Sequence, residues 1–169
     1  MRDYYEELWQ RLPSRLTPPD LQLREAGAAP TGVEVAEAAL CRARSGHPEL
    51  EFGLAAIEGP LPFEDGAFDL VWASEVIEHV GDTARWLSEV RRVLAPSGRL
   101  LLTTPSHGRL RIALGGIERF SEPLGDHLHL YTQRSLTELL GEFGFGAVEV
   151  CRAGGPPLLR RLLLARARR

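Results

Sequence analysis

The chain has 169 residues, 44% of them hydrophobic, and a formal net charge of −3, which suits one ordinary globular core and predicts a single domain. Its two cysteines form no C-x-x-C pair, its N-terminus is charged, and no apolar run approaches the length of a membrane span. These features give no sign of secretion, a disulfide framework or structural zinc, and we expect a soluble, cytoplasmic protein. Residues 152–169 carry six Arg and no acid. Such a tail can bind nucleic acid, but we expect no nucleic-acid partner and no membrane partner.

The first third of the chain contains a helix, a linker and one strand–helix–strand pattern. Residues 1–12 have the spacing of an amphipathic helix, and residues 13–30 are rich in Pro and Ala with no strand pattern. Thr31 to Val35 (TGVEV) reads as a short strand. Ala36 to Arg44 reads as a helix, and Leu50 to Leu54 as the next strand.

The middle of the chain predicts a β-α-β unit. The apolar run Phe68 to Ala73 suits a strand that is buried on both faces of a parallel sheet. Asp82 is a good N-cap for a helix, and the apolar residues that follow it recur at helical spacing. A turn at residues 95–98 leads into a second buried strand, Leu100 to Thr104.

The last third predicts an insertion, a helix and two strands. Residues 106–125 are loop-like, and Ser135 is expected to cap a helix that Gly144 ends. Ala147 to Arg152 reads as a strand. The segment after it either begins a short helix at Pro156-Pro157 or forms a last strand over residues 162–165, with its Arg residues protecting a sheet edge.

Several stretches, in this order, carry a family resemblance. They are TGVEV, LPFEDGAFD, FDLVWASEVIEHV, LAPSGRLLLTTP and HLHLYTQRSLTELLGEFGF, and they span most of residues 31–150. The chain resembles class I S-adenosylmethionine-dependent methyltransferases of the small-molecule type, which includes ubiquinone-pathway O-methyltransferases (methyltransferase types 11 and 12). The resemblance implies a Rossmann-like α/β sheet, mostly parallel with an antiparallel last strand, and S-adenosylmethionine as cofactor. It also implies four segments of one domain: 1–30, 31–105 on the cofactor side, 106–134 as a lid, and 135–169.

One family element has no counterpart before TGVEV. The family's sheet begins with a strand and a glycine-rich D-x-G-x-G turn, where backbone approaches the cofactor closely and adopts positive φ. Residues 24–30 (REAGAAP) resemble the end of the helix that follows that turn. We therefore expect the first strand and its glycine loop to be missing. Because that strand is central in the family's sheet, its loss predicts a rearranged sheet, a homodimer or an incomplete record.

The resemblance assigns cofactor-binding residues to three places. An acid at the carboxyl end of a parallel strand can accept hydrogen bonds from both ribose hydroxyls, and Glu34, with the adjacent Val35, is so placed. The backbone near Ile57 and Glu58, together with Leu61, would border adenine. The methionine end of the cofactor would contact the two residues that follow the middle strand, Ser74 and Glu75.

We expect histidine and tyrosine side chains to contact the methyl acceptor. His79 follows the middle strand and could take a proton from a substrate hydroxyl. His127, His129 and Tyr131 alternate with leucines, which places the three on one side of an extended segment. We assign His79, His127 and Tyr131 to the acceptor; an ordinary polar edge is the alternative for the segment.

A metal site is a further alternative. Glu75, Glu78 and His79 would share one face if Ser74 began a helical turn, and His127 or His129 could complete a shell around Mg²⁺ or another divalent ion. E-x-x-E-H also resembles the metal-binding motif of small-RNA and quinone-precursor methyltransferases. A local hydrogen-bond network explains the same three residues, so we assign no metal ligand.

The sequence thus predicts an enzyme that transfers the methyl group of S-adenosylmethionine to a small-molecule acceptor. The alternative is an inactive or truncated methyltransferase-like scaffold, in some oligomeric form, that cannot hold the cofactor alone. A hydrolase does not fit, because the chain has no G-x-S-x-G elbow.

Overall fold

A computed structural model describes residues 23–56, 58–106, 127–154 and 162–169. The chain divides into two compact units, Met1–Pro62 and Phe63–Arg169. The predicted helix at residues 1–12, most of the predicted lid and the Pro156-Pro157 alternative lie outside the described residues.

The N-terminal unit begins, in its described part, with the end of a helix. Gly27 has a φ of +87°, its N–H donates to the Arg24 carbonyl at 2.8 Å, and the Ala28 N–H donates to the Leu23 carbonyl at 3.0 Å. This pair of bonds is a Schellman motif, which ends helices at a glycine. The prediction that residues 24–30 form a helix end is confirmed, whereas the missing strand and glycine turn remain a prediction.

A parallel strand pair and one helix complete this unit. They are β1 (Thr31–Glu34), α1 (Glu37–Gly46) and β2 (Glu51–Leu54). β1 and β2 pair in parallel from Thr31↔Glu51 to Glu34↔Leu54. Leu40, Leu50 and Phe52 pack together as the buried core, so α1 turns its Leu40 side toward β2.

The C-terminal unit contains a four-stranded sheet and two helices. Its elements are β3 (Phe68–Ser74), a 3₁₀ turn (Ile77–His79), α2 (Thr83–Val93), β4 (Leu94–Pro105), α3 (Gln133–Glu142), β5 (Gly146–Ala153) and β6 (Leu162–Arg168). The strand order is β3-β4-β6-β5. β3 and β4 are parallel, and β6 runs antiparallel to both β4 and β5. The antiparallel last strand is therefore confirmed.

The predicted β-α-β unit is present with two changes. Asp82 caps α2 by accepting a hydrogen bond from the Arg85 N–H at 3.0 Å, as predicted. β4 starts directly after α2, and its predicted turn is an irregularity within the strand, with Ser97 at a φ of +67°. The prediction that β3 is buried on both faces is wrong, because Ala73 is buried but Leu70 is 37% exposed.

The C-terminal elements follow their local signals closely. Thr132, rather than Ser135, is the N-cap of α3, and the two residues form a reciprocal capping box. Gly144 ends that helix with a φ of +75°, as predicted. β6 lies between β4 and β5, so its Arg residues do not protect a sheet edge, and that prediction is wrong.

One face of the four-stranded sheet carries the core. Leu100, Leu102 and Thr104 alternate inward along β4, and the buried residues of α2 and α3 include Leu87 and Leu136, both 0% exposed. Strands and helices alternate as an α/β protein requires. Within the described ranges, no helix is long and apolar enough to cross a membrane.

Candidate functional site

Polar side chains collect at the carboxyl ends of β3 and β4. In open α/β sheets, ligands bind outside the carboxyl ends of the strands. β3 and β4 end side by side because Ser74 pairs with Thr103. The Ile77–His79 turn follows β3 directly, and the segment from His127 to Tyr131 joins it through backbone hydrogen bonds.

The last residue of β3 and the residue after it are held by β4. The Ser74 and Thr103 hydroxyls are 2.9 Å apart, and the Glu75 N–H donates to the Thr103 carbonyl at 3.0 Å. Glu75 adopts a φ of +53°, a left-handed conformation that non-glycine residues use sparingly. A left-handed residue interrupts a right-handed helical turn, so the predicted helical face of Glu75, Glu78 and His79 is wrong.

Glu78 is the buried centre of this region. Its side chain is fully buried, and its Oε2 accepts a hydrogen bond from the Thr104 hydroxyl at 2.9 Å. Its Oε1 is also buried and has no hydrogen-bond partner among the described residues. Burial raises the pKa of Glu78 to about 7; the charge of Glu75 adds to this rise, and the Thr104 hydrogen bond opposes it.

The Glu78 backbone also holds the segment that carries the rings. Its carbonyl accepts hydrogen bonds from the Leu128 N–H at 2.8 Å and from the His129 N–H at 3.2 Å. Leu128 itself is 50% exposed, whereas Tyr131 is buried. The alternation predicted for this segment therefore turns Tyr131 inward and Leu128 outward.

The three residues predicted for the acceptor lie in this one region. The rings of His79 and His127 make an edge-to-face contact with centroids 5.0 Å apart, and His79 Nε2 lies 3.8 Å from Glu78 Oε1. Burial, and then the neighbouring His79, lower the pKa of His127. Burial raises the pKa of Tyr131, and its hydrogen bond with Thr83 opposes that rise.

This arrangement can bind polar groups in two ways. Imidazoles and a phenol can position a substrate by hydrogen bonds. One donor atom each from Glu78, His79 and His127 also lies within 4.8 Å of the other two, so these three could hold an ion. The sequence prediction missed Thr104, although a polar residue in line with the inward Leu100 and Leu102 is a readable signal of a buried hydrogen bond.

The residues predicted to bind the cofactor fall in both units. Glu34 ends β1 half-buried, and its carbonyl accepts the Ala55 N–H at 2.9 Å, so the ends of β1 and β2 stay together. The placement of this carboxylate at the carboxyl end of a parallel strand fits a ribose-binding acid. In the same unit Val35 and Leu61 are half-buried and Glu58 is exposed, while Ile57 lies outside the described residues. Ser74 and Glu75 belong to the C-terminal unit.

Several known proteins that are similar to this chain in sequence are methyltransferases. A probable S-adenosylmethionine-dependent methyltransferase of Mycobacterium tuberculosis is 34% identical over 129 residues, which is 76% of this chain and 44% of that protein. Glycine/sarcosine/dimethylglycine N-methyltransferase of Actinopolyspora halophila is 38% identical over 56% of this chain and 14% of that protein. This chain therefore spans less than half the length of these curated relatives.

A solved structure supports the fold independently. The 1,6-didemethyltoxoflavin-N1-methyltransferase of Burkholderia thailandensis, solved with 1,6-didemethyltoxoflavin and S-adenosylhomocysteine, aligns with a TM-score of 0.65 at 18% identity. The alignment covers 88% of this chain and 64% of that chain, which confirms the Rossmann-like fold. A family model described as a methyltransferase domain matches residues 20–150. The chain belongs to the methyltransferase domain family, whose members among its relatives use S-adenosylmethionine as cofactor.

Proposed function

We propose that this chain transfers the methyl group of S-adenosylmethionine to a small-molecule acceptor. Family membership supports the methyl transfer. The small acceptor is supported by the relatives, since the Actinopolyspora halophila enzyme is named for glycine, sarcosine and dimethylglycine. The Burkholderia thailandensis enzyme was solved with 1,6-didemethyltoxoflavin, also a small molecule.

The observation that carries this proposal is the approach of His127 to His79 beyond β3 and β4. Their ring centroids are 5.0 Å apart although the two residues are 48 positions apart in sequence. Tyr131, on the same segment as His127, adds a phenol beside Thr83. In an in-line displacement most of the acceleration comes from positioning the nucleophile. His79, His127 and Tyr131 supply directional polar groups for that task.

We assign the cofactor to residues of both units by family resemblance. When bound, S-adenosylmethionine supplies an electrophilic methyl group. By that resemblance, Glu34 would accept hydrogen bonds from the ribose hydroxyls, and Val35, Ile57, Glu58 and Leu61 would border the nucleoside. Ser74 and Glu75 would contact the methionine part. The half-buried carboxylate of Glu34 at the end of β1 is the best supported of these assignments.

The test is an acceptor screen with isotopically labelled S-adenosylmethionine. Small amines, carboxylates, phenols and heterocycles are each incubated with the chain, and S-adenosylhomocysteine is quantified. We expect S-adenosylhomocysteine to form only with one class of acceptor, and its rate of formation to fall at least tenfold in His127→Ala. Glu34→Gln should weaken cofactor binding, whereas Glu37→Gln, an exposed acid in the first turn of α1, should not.

The competing function is an inactive scaffold, alone or as a homodimer. It predicts no acceptor-dependent S-adenosylhomocysteine from a folded chain and no difference between Glu34→Gln and Glu37→Gln. Sedimentation of the same sample separates the monomer from the dimer. These outcomes together would contradict the catalytic proposal.

A further inference from the structure

We propose that Glu78, His79 and His127 form a binding site for a divalent transition-metal ion such as Zn²⁺. One donor atom from each residue lies within 4.8 Å of the other two. Glu75, the other acid of the E-x-x-E-H pattern, is not one of these three residues. The proposal does not depend on methyl transfer by this chain.

The first support is the unpartnered oxygen of Glu78. The Glu78 side chain is 0% exposed, and its Oε1 has no hydrogen-bond partner among residues that the structure describes. The distance of 3.8 Å to His79 Nε2 is too long for a hydrogen bond. Burying a carboxylate oxygen without a partner is costly, and a cation between Glu78 and His79 would remove that cost.

The second support is the way the three side chains are held. Thr104 donates to Oε2 of Glu78, which leaves Oε1 directed at the imidazoles. Hydrogen-bonded partners of this kind orient the ligands of metal sites. The Glu78 carbonyl also anchors the Leu128 and His129 N–H groups, so His127 is kept beside the turn that carries His79.

The spacing of the donors suits an ion after a small adjustment. Zn²⁺ binds nitrogen and carboxylate oxygen at about 2.0–2.2 Å, so tetrahedral ligand atoms lie about 3.4 Å apart. Side-chain movements that shift the donor atoms by about 1 Å would bring the three donors from their present spacing to that distance. The His79 and His127 rings meet edge to face with centroids 5.0 Å apart, so the two imidazoles are already adjacent.

The donor types decide which class of metal is expected. Two imidazoles and one carboxylate suit zinc, iron, cobalt or nickel, whereas Mg²⁺ prefers oxygen ligands and keeps several waters. Three protein ligands also leave a coordination position for water or a substrate atom. We therefore expect Zn²⁺ and Co²⁺ to bind and a large excess of Mg²⁺ not to displace them.

The test is metal titration of the whole chain after removal of metals with a chelator. Zn²⁺ is followed by calorimetry and Co²⁺ by its visible absorption, which reports coordination geometry. We expect one equivalent to bind, and His127→Ala to weaken binding by at least about 100-fold, the upper end of what loss of an outer-shell partner costs. His47→Gln is the matched control, because His47 pairs with Glu49 in the N-terminal unit at 3.5 Å.

A second variant guards against misfolding. Glu78→Gln keeps the volume of the buried side chain and should also lose the ion, while circular dichroism of each metal-free variant checks its fold. Absence of binding by the folded chain overturns the proposal. So does Zn²⁺ affinity that stays the same in folded His127→Ala, since the ion would then be held elsewhere.

Discussion

Replacing Thr104 with Val tests whether Glu78 depends on one buried hydrogen bond. The Thr104 hydroxyl donates to Glu78 Oε2 at 2.9 Å, and both side chains are 0% exposed, so water cannot replace the donor. Thr104→Val keeps the shape of the side chain and removes the side-chain hydrogen bond to Oε2, while Oε1 has no hydrogen-bond partner among the described residues. An unsatisfied buried polar group costs about 1–3 kcal/mol, so we expect the free energy of unfolding to fall by that amount.

The measurement is guanidinium unfolding at pH 7 with a chelator present, done as a double-mutant cycle. In a Glu78→Leu background the acceptor is gone, so Thr104→Val should then cost less than about 0.5 kcal/mol. Thr137→Val, at a half-buried position of α3 away from Glu78, is the control and should change stability by no more than about 0.5 kcal/mol. A cost for Thr104→Val that is equally large in both backgrounds would refute the coupling of Thr104 to Glu78.

Three further substitutions test other parts of the fold. Gly144→Ala should lower the unfolding free energy by about 1–2 kcal/mol, because the φ of Gly144, +75°, is left-handed. Gly141→Ala, within α3, should be neutral or stabilising by up to about 1 kcal/mol. Equal effects of the two substitutions would contradict the role of Gly144 as the helix end. Tyr131→Phe should make the unfolding free energy depend less on pH above pH 10. Burial raises the pKa of the Tyr131 phenol above 10.0, so its stabilisation is complete below pH 10 and is lost as pH rises through the folded pKa. If the unfolding free energies of the wild type and Tyr131→Phe change in parallel from pH 9 upward, this prediction is refuted. Leu136→Ala, at a fully buried position, should cost about 2–5 kcal/mol, and Leu128→Ala, half exposed, far less; thermal melts that rank them the other way would contradict the assigned core.

Local signals in the sequence were sufficient for most elements. Asp82 is followed by apolar residues at helical spacing, and both the cap and the inner face of α2 are as predicted. Gly27 and Gly144 end helices at positive φ, which glycine tolerates without strain. These features depend on residues within one or two turns of each other, so the sequence alone could place them.

Features that depend on distant partners were not predictable in the same way. The spacing of Glu75, Glu78 and His79 fits a helical face, but the bond from the Glu75 N–H to Thr103 of β4 holds Glu75 in a left-handed conformation. The burial of Glu78 depends on Thr104, which lies 26 residues away. The inner position of β6 likewise results from pairing with strands far away in sequence.

The most direct test of the family's chemistry in this chain is calorimetric titration with S-adenosylhomocysteine. The purified, mass-verified chain is titrated beside Glu34→Gln and Glu37→Gln. Membership of the methyltransferase domain family, with Glu34 as the ribose-binding acid, predicts one binding event at micromolar strength that Glu34→Gln weakens and Glu37→Gln preserves. A folded chain that shows no heat of binding would contradict the proposal that these residues hold the cofactor.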